Sequence, residues 1–294
     1  MKCFSCSKSN FHIVKYDNHV FKISLKYFLR NILKKLNFFV PTFLYRLKRA
    51  SNNTFKGDIY VCKNCGFGEL NNKPSVSKLL NYYKKFYWQT FRANKNENLL
   101  NLNFDKNLRA IHQVNSILKF LKNRKYNVLE IGGGECNTSL YLRKKKNIII
   151  SCCDSSFWKD YYKKNNINHI KKMFPFQVKK KYDLIISSHH LEHMLDLKKS
   201  IQSLYKLLNN QGLLFIEVPN TPNIYWKKYI IDTPHIFFFT KISFENIFEK
   251  FSFKITNCQI FGNSYEKILE KKKPNYQKIN KNGAYLKAIL RKKS

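Results

Sequence analysis

The run Val128-Leu129-Glu130-Ile131-Gly132-Gly133-Gly134 confines this chain to a narrow set of folds. A short strand of buried type carries an acid, three glycines follow at once, and a helical stretch comes next, from about Thr138 to Lys144. Strand, glycine turn and helix together let a ligand approach backbone amides at a helix N-terminus. A second apolar strand, Ile148 to Cys153, ends at Asp154, 24 residues after Glu130, where a βαβ unit sets an acid against ribose hydroxyls. Ahead of the run, Leu108, Ile111, Val114, Ile117, Leu118 and Leu121 recur at helical spacing, which predicts a helix capped by Asp105 and running to about Asn123. A nicotinamide-dinucleotide fingerprint would require a third glycine at position 137, where the chain has Asn137.

The segment from Val128 to Cys136 resembles the first motif of class I S-adenosylmethionine-dependent methyltransferases. Tyr182 to His193, with its Leu191-Glu192-His193, is similar to the family's fourth-strand motif, and Leu207 to Pro219 to its helix, turn and fifth strand. Thr233 to Thr240 resembles a later stretch of the same subgroup, so the likeness spans roughly residues 105 to 294. It implies a Rossmann-like α/β fold with a seven-stranded methyltransferase sheet. It also implies that Glu130, Gly132, Gly133 and Gly134 hold the methionine part of S-adenosylmethionine, and that Asp154 holds its ribose. His189, at the end of the fourth-strand motif, joins this cofactor-binding set. Three departures stand out. Cys136 replaces the usual last glycine of the loop. The segment Lys171 to Phe176 lacks the acid that often meets adenine, which leaves Phe174 or Met173 to pack there. Sugar C-methyltransferases of similar organisation carry a further C-terminal domain that this chain ends too early to include.

Cys3-Phe4-Ser5-Cys6 and Cys62-Lys63-Asn64-Cys65 are two C-x-x-C pairs. Four thiolates fill a tetrahedral shell and leave no open position, so the metal they imply is structural zinc. The 55 residues between the pairs exceed the usual spacer, and a redox centre is the rival reading, although no strand precedes Cys3. With Asn72 to Ser75 and Tyr82-Tyr83, the pairs resemble a zinc-bearing segment that precedes the methyltransferase domain in some enzymes of glycan, sugar-nucleotide or secondary metabolism. The expected organisation is a zinc module over residues 1–75, an aromatic linker or lid over 76–104, and the methyltransferase domain over 105–294. Within the module, residues 21–37 place seven apolar side chains, Phe21 to Leu36, at helical spacing among lysines. Such a helix lies on a membrane or packs on its own protein.

The chain carries 55 Lys or Arg against 18 Asp or Glu, a net charge of +37. That field attracts polyanions without choosing among nucleic acid, anionic lipid and phosphorylated substrates. No apolar run reaches the roughly 18 residues of a membrane span, and no signal-type stretch opens the chain. A cytoplasmic protein with free or metal-bound thiols is the expectation.

In an open α/β sheet the ligand crevice lies beyond the carboxyl ends of the strands. His189, His190, Glu192 and His193 fall at that edge, with His235 nearby. The expected base is His193, oriented by Glu192, with His190 and His235 the next candidates to touch the acceptor. The competing reading makes Glu192 and His193 organise the start of a helix from Asp196-Leu197 to Leu208. A metal held by these histidines and Glu192 would need help from elsewhere in the chain to converge. Tyr225 and Trp226 wall the acceptor pocket or fill their own loop. The expected acceptor is a small molecule or glycan, methylated on oxygen. An RNA methyltransferase gripping phosphates with its basic surface is the alternative, and a noncatalytic zinc-bearing interaction protein a third reading.

Overall fold

The computed structural model describes residues 1–15, 57–83, 99–154, 159–176, 180–222, 226, 235–269 and 274–293. The amphipathic stretch at 21–37, Tyr225 and the aromatic run beyond Tyr83 lie outside them.

Two sheets organise the chain. The larger contains β4 (Tyr126–Ile131), β5 (Ile148–Cys153), β6 (Ile167–Ile170), β7 (Tyr182–Ser188), β8 (Leu208–Pro219), β10 (Phe253–Ser264) and β11 (Gly283–Lys292). Its order is β10-β11-β8-β7-β4-β5-β6. The strands from β6 to β8 run parallel, while β11 is antiparallel to both β8 and β10. The central strands read as unbroken apolar runs because both faces are covered; Leu184, Ile185 and Ile186 of β7 are all fully buried. Chain order reverses between β4 and β7, the kind of point at whose carboxyl ends an open α/β sheet takes its ligand.

The smaller sheet, β1 (Phe11–Val14), β2 (Ile59–Cys62), β3 (Gly68–Leu70) and β9 (Phe237–Phe238), ties the N-terminal segment to the large domain, since β9 lies between β8 and β10 in sequence. Gly68 pairs with Phe238 and Glu69 with Phe237. Its core is continuous with the large domain: Cys3, Val61 and Phe67 belong to one apolar cluster with Phe239, Phe244 and Ile216. The described residues of the N-terminal segment, 1–15 and 57–75, are thus packed against the large domain. Trp226 takes part in this join, its ring 5.1 Å from that of Phe238.

Helices α1 (Val76–Tyr82), α2 (Leu99–Leu118), α3 (Asn137–Arg143), α4 (Lys159–Lys164), α5 (Leu197–Leu207), α6 (Lys241–Lys250) and α7 (Tyr265–Leu269) cover the sheets. Asp196 caps α5 through Lys199 N at 2.9 Å, and Thr240 and Ser243 form a capping box on α6. The cap expected at Asp105 is corrected. α2 starts at Leu99, because Leu99, Leu100 and Leu102 are good helix formers that carry the pattern past Asp105. It stops at Leu118, where Phe120 N and Leu121 N turn back onto the Ile117 and Leu118 carbonyls.

Asp183 on β7 clamps the sheet end away from the crevice, accepting hydrogen bonds from Asn127 N at 2.8 Å, Asn209 Nδ2 at 3.0 Å and the Arg124 guanidinium at 3.2 Å. Burial alone would raise its pKa, but these donors outweigh it and the net shift is downward. Asp183→Asn is expected to cost about 1–2 kcal/mol at neutral pH. A depressed folded pKa contributes stability that is complete above the unfolded value of about 3.9 and is lost as pH falls through the folded one. The difference between the melting curves of the two proteins should therefore begin to shrink below about pH 4 and vanish only below the lower, folded pKa.

Candidate active site

The glycine turn sits at the carboxyl end of β4, beside the reversal of strand order. Gly132 and Gly134 have φ of +65° and +54°, a region that L-residues rarely enter. Cys136, with φ of +53°, takes the left-handed conformation at the start of α3, a backbone state that a glycine would adopt without strain. A Cβ on Gly132 would lie 2.6 Å from the His190 ring. A Cβ on Gly133 would meet Cys136 Sγ and Glu130 Cγ, each at 2.9 Å.

The two strand-end acids behave differently. Asp154 reaches back to the turn, its carboxylate accepting from Gly134 N at 2.6 Å. Glu130 is buried and turned onto α3, accepting from Ser139 N at 3.0 Å and from the Ser139 hydroxyl. Burial pushes its pKa up to about 7 against those bonds, and the nearby Asp154 charge adds to the rise. Glu130 thus braces the loop from below. His190 packs on Gly132 and on Phe174, 5.6 Å between ring centroids, and burial lowers its pKa to about 4, so it is a neutral ring at neutral pH. Phe174 is itself buried and stacks edgewise on Phe176, while Met173 is half exposed.

Beyond β7 the histidines and acids form one buried chain of charges. His189, at φ +50°, sets Nδ1 3.3 Å from Glu192 Oε1 and Nε2 3.3 Å from Glu217 Oε1. Arg109 Nε lies 3.7 Å from Glu217, and its guanidinium lies over the rings of Tyr276 and Tyr285, 5.3 and 5.1 Å from their centroids. Burial would raise the pKa of Glu192, yet His193, His189 and His235 hold it down to about 2. The pKa of Glu217 is lowered likewise, burial being outweighed by His189 and Arg109. For His189, burial and Arg109 push down but the two glutamates win, and its pKa is raised. Arg109 and Glu217 were not singled out in the sequence. The signal for Glu217 was an acid inside the apolar run Leu213 to Val218; Arg109 looked like any surface arginine on an amphipathic helix.

Glu192, His193 and His235 come together. The Nε2 atoms of His193 and His235 lie 3.7 and 3.9 Å from Glu192 Oε1, and one donor atom from each residue falls within 4.8 Å of the others. The chain brings the distant member in by backbone pairing, since Ile236 N donates to Glu192 O at 2.8 Å while Leu70 N donates to Ile236 O at 2.9 Å. Tyr83, just past α1, sets its ring 6.2 Å from that of His193.

The four cysteines of the C-x-x-C pairs converge as well. Cys3 and Cys65 sulfurs are 3.6 Å apart, Cys6 and Cys62 sulfurs 3.5 Å, and all four lie within 4.8 Å of one another. A disulfide would require about 2.05 Å. Thiolates about 2.3 Å from a tetrahedral zinc stand about 3.8 Å apart, so the donor set and its spacing fit that ion. Both turns rest on α6: Thr240 donates to Cys65 O, Ser5 donates to Ser243 O at 3.2 Å, and Lys250 Nζ reaches Phe4 O at 3.3 Å.

A parallel sheet with this strand order, an antiparallel β11, a glycine turn after β4 and an acid after β5 that closes onto that turn define a class I S-adenosylmethionine-dependent methyltransferase. Residues 100–257 match a methyltransferase-domain family, and the chain belongs to it. No curated protein sequence matches the chain. Among solved structures, it is similar to an S-adenosylmethionine-dependent methyltransferase of Thermotoga maritima at 14% identity, covering 73% of this chain and all of that one with a TM-score of 0.54. It is also similar to the 1,6-didemethyltoxoflavin-N1-methyltransferase of Burkholderia thailandensis, which was solved with its substrate and S-adenosylhomocysteine, at 12% identity over 80% and 98% of the two chains with a TM-score of 0.54. A third is the plantazolicin methyltransferase BpumL, at 17% identity over 74% and 94% with a TM-score of 0.51. The enzyme uses S-adenosylmethionine. No helix among the described residues is long and apolar enough to cross a membrane.

Proposed function

We propose that the enzyme methylates a hydroxyl of a small molecule, in the class of sugar nucleotides and other glycans, with its N-terminal cysteines holding a structural zinc ion. The observation that carries this reading is the pairing, at one reversal of strand order, of a cofactor turn with a buried Glu192, His193 and His235 cluster. S-adenosylmethionine supplies an electrophilic methyl group: the acceptor oxygen's lone pair forms the new bond to carbon while the carbon–sulfur pair returns to sulfur. The turn from Gly132 to Gly134 and the Asp154 carboxylate would hold and orient that group, with Phe174 and His190 packed beside them. Most of the acceleration comes from alignment of acceptor, methyl carbon and sulfur. Acceptor activation falls to His193, with Glu192 and His235 around it.

His193→Ala is expected to keep its affinity for S-adenosylhomocysteine and to lose about 10²- to 10⁴-fold in kcat. Unchanged kcat at saturating acceptor would remove His193 from the reaction. Labelled S-adenosylmethionine offered with sugar nucleotides, lipid-linked glycans and RNA identifies the acceptor. The net charge of +37 supports RNA as a second reading. Label transfer to RNA, with affinity falling steeply as salt rises, would put that reading first.

A further inference from the structure

The Glu192 carboxylate is fully buried, and neither of its oxygens accepts a hydrogen bond of normal geometry among the described residues. Leaving a buried charged acceptor unpaired costs more than the roughly 1–3 kcal/mol of a neutral group, so the arrangement calls for a partner. The nearest nitrogen, His189 Nδ1 at 3.3 Å, belongs to a ring shared with Glu217. The other two rings turn the same nitrogen, Nε2, toward the same oxygen, at 3.7 and 3.9 Å. Those separations are too long for hydrogen bonds, which draw N and O to about 2.9 Å. Donors about 2.1 Å from a metal lie about 3.0 Å apart at adjacent octahedral corners and about 3.4 Å apart in a tetrahedron, so three donors that all point at one spot would close on an ion by moving less than about 1 Å.

From this geometry we infer a second metal site, in which Glu192, His193 and His235 bind a divalent first-row cation at the acceptor end of the crevice. Two imidazoles and a carboxylate leave coordination positions open, and mixed nitrogen and oxygen donors suit Mn²⁺, Fe²⁺, Co²⁺ or Zn²⁺. His189 holds the carboxylate from behind, and Glu217 and Arg109 hold His189, an outer shell of the kind that orients metal ligands. The inference deepens the methyl-transfer reading and rests on it for its purpose: the open positions take acceptor oxygen, and a bound hydroxyl gives up its proton to solvent more readily before it attacks the methyl carbon. His193 then activates the acceptor as a ligand of the ion instead of taking the proton itself. The site is distinct from the cysteine cluster, whose four thiolates are soft and close their own shell.

The test uses Mn²⁺, which thiolates bind poorly, titrated into the full-length protein with its zinc content fixed. Loss of the free Mn²⁺ electron paramagnetic resonance signal should count one ion per chain. Spin-echo modulation should show two imidazole nitrogens on that ion. Glu192→Gln and His235→Ala should each weaken Mn²⁺ at least tenfold while zinc content and S-adenosylhomocysteine affinity stay unchanged. No bound Mn²⁺, a signal without imidazole coupling, or variants that bind Mn²⁺ as the parent does would overturn the site. Because the imidazole coupling is read on the unaltered protein, a variant that fails to fold leaves the test standing. A protein that binds S-adenosylhomocysteine and not Mn²⁺ sinks the metal site alone. One that binds Mn²⁺ and not S-adenosylhomocysteine sinks the methyl-transfer reading alone.

Discussion

Gly132→Val is expected to abolish detectable binding of S-adenosylmethionine while the protein stays folded. Two effects act at one position. Gly132 has φ of +65°, and a β-branched residue forced into that region costs about 1–3 kcal/mol of backbone strain. Its Cβ would also stand 2.6 Å from Cδ2 and 3.0 Å from Cγ of His190, a ring wedged against Phe174 and unable to retreat freely. The turn must therefore shift, carrying the Gly134 amide away from Asp154, which it now meets at 2.6 Å. About 3 kcal/mol of distortion corresponds to more than a hundredfold in affinity. The β-strand register beneath, Val128 to Ile131 against β5 and β7, does not depend on the turn, so the melting temperature should fall by only a few degrees. Calorimetry with S-adenosylhomocysteine reads the outcome, and normal affinity would contradict the assignment of the turn.

The parts of this molecule that were legible in its sequence are those whose chemistry is local. A strand, three glycines and a helix are contiguous, and the acid of β5 stands at a spacing that a βαβ unit dictates, so the fold and the position of Asp154 follow from neighbours in the chain. The helix start was misplaced by six residues because Asp105 resembles a cap and only the preceding leucines reveal that the helix is already under way. Glu192 could be read as a helix cap or as a partner of His193, and sequence could not decide. In the structure Asp196 caps the helix, while Glu192 lies against His193 and against His235, which is 43 residues away and arrives through the Ile236 pairing with Glu192 and Leu70. His189 was grouped with the cofactor residues by its neighbours, whereas its ring lies between two glutamates, one of them from β8. Arg109, Glu217, Tyr276 and Tyr285 assemble from four elements or loops and leave no spacing pattern to find.

That same long-range construction joins the cysteine cluster to the segment that bears His235, and Cys65→Ser tests what the join does for turnover. Removing one thiolate from a four-sulfur zinc site loses much of a metal-binding free energy of the order of 10 kcal/mol, with destabilisation of about 4 kcal/mol or more where the metal orders its surroundings. The surroundings here include the segment that bears His235. Cys65 O accepts the Thr240 hydroxyl, a Cβ on Gly66 would collide with the Thr240 methyl, and two residues on, Gly68 pairs with Phe238. Residues 235 to 240 are thus pinned between the cysteine turns on one side and Glu192 on the other. The glycine turn, by contrast, is built from β4, α3 and β5, which make no contact with the cysteine turns through these bonds. Cys65→Ser is accordingly expected to lower zinc content to well below one per chain and to reduce kcat at least about a hundredfold, the larger part of the range for a displaced catalytic group. S-adenosylhomocysteine affinity should change by less than about tenfold, the 1.4 kcal/mol that a remote perturbation of the loop could transmit. Equal loss of both would mean that the cysteine cluster supports the whole fold. Loss of zinc with full turnover would show that the histidine on β9's approach is held in place without it.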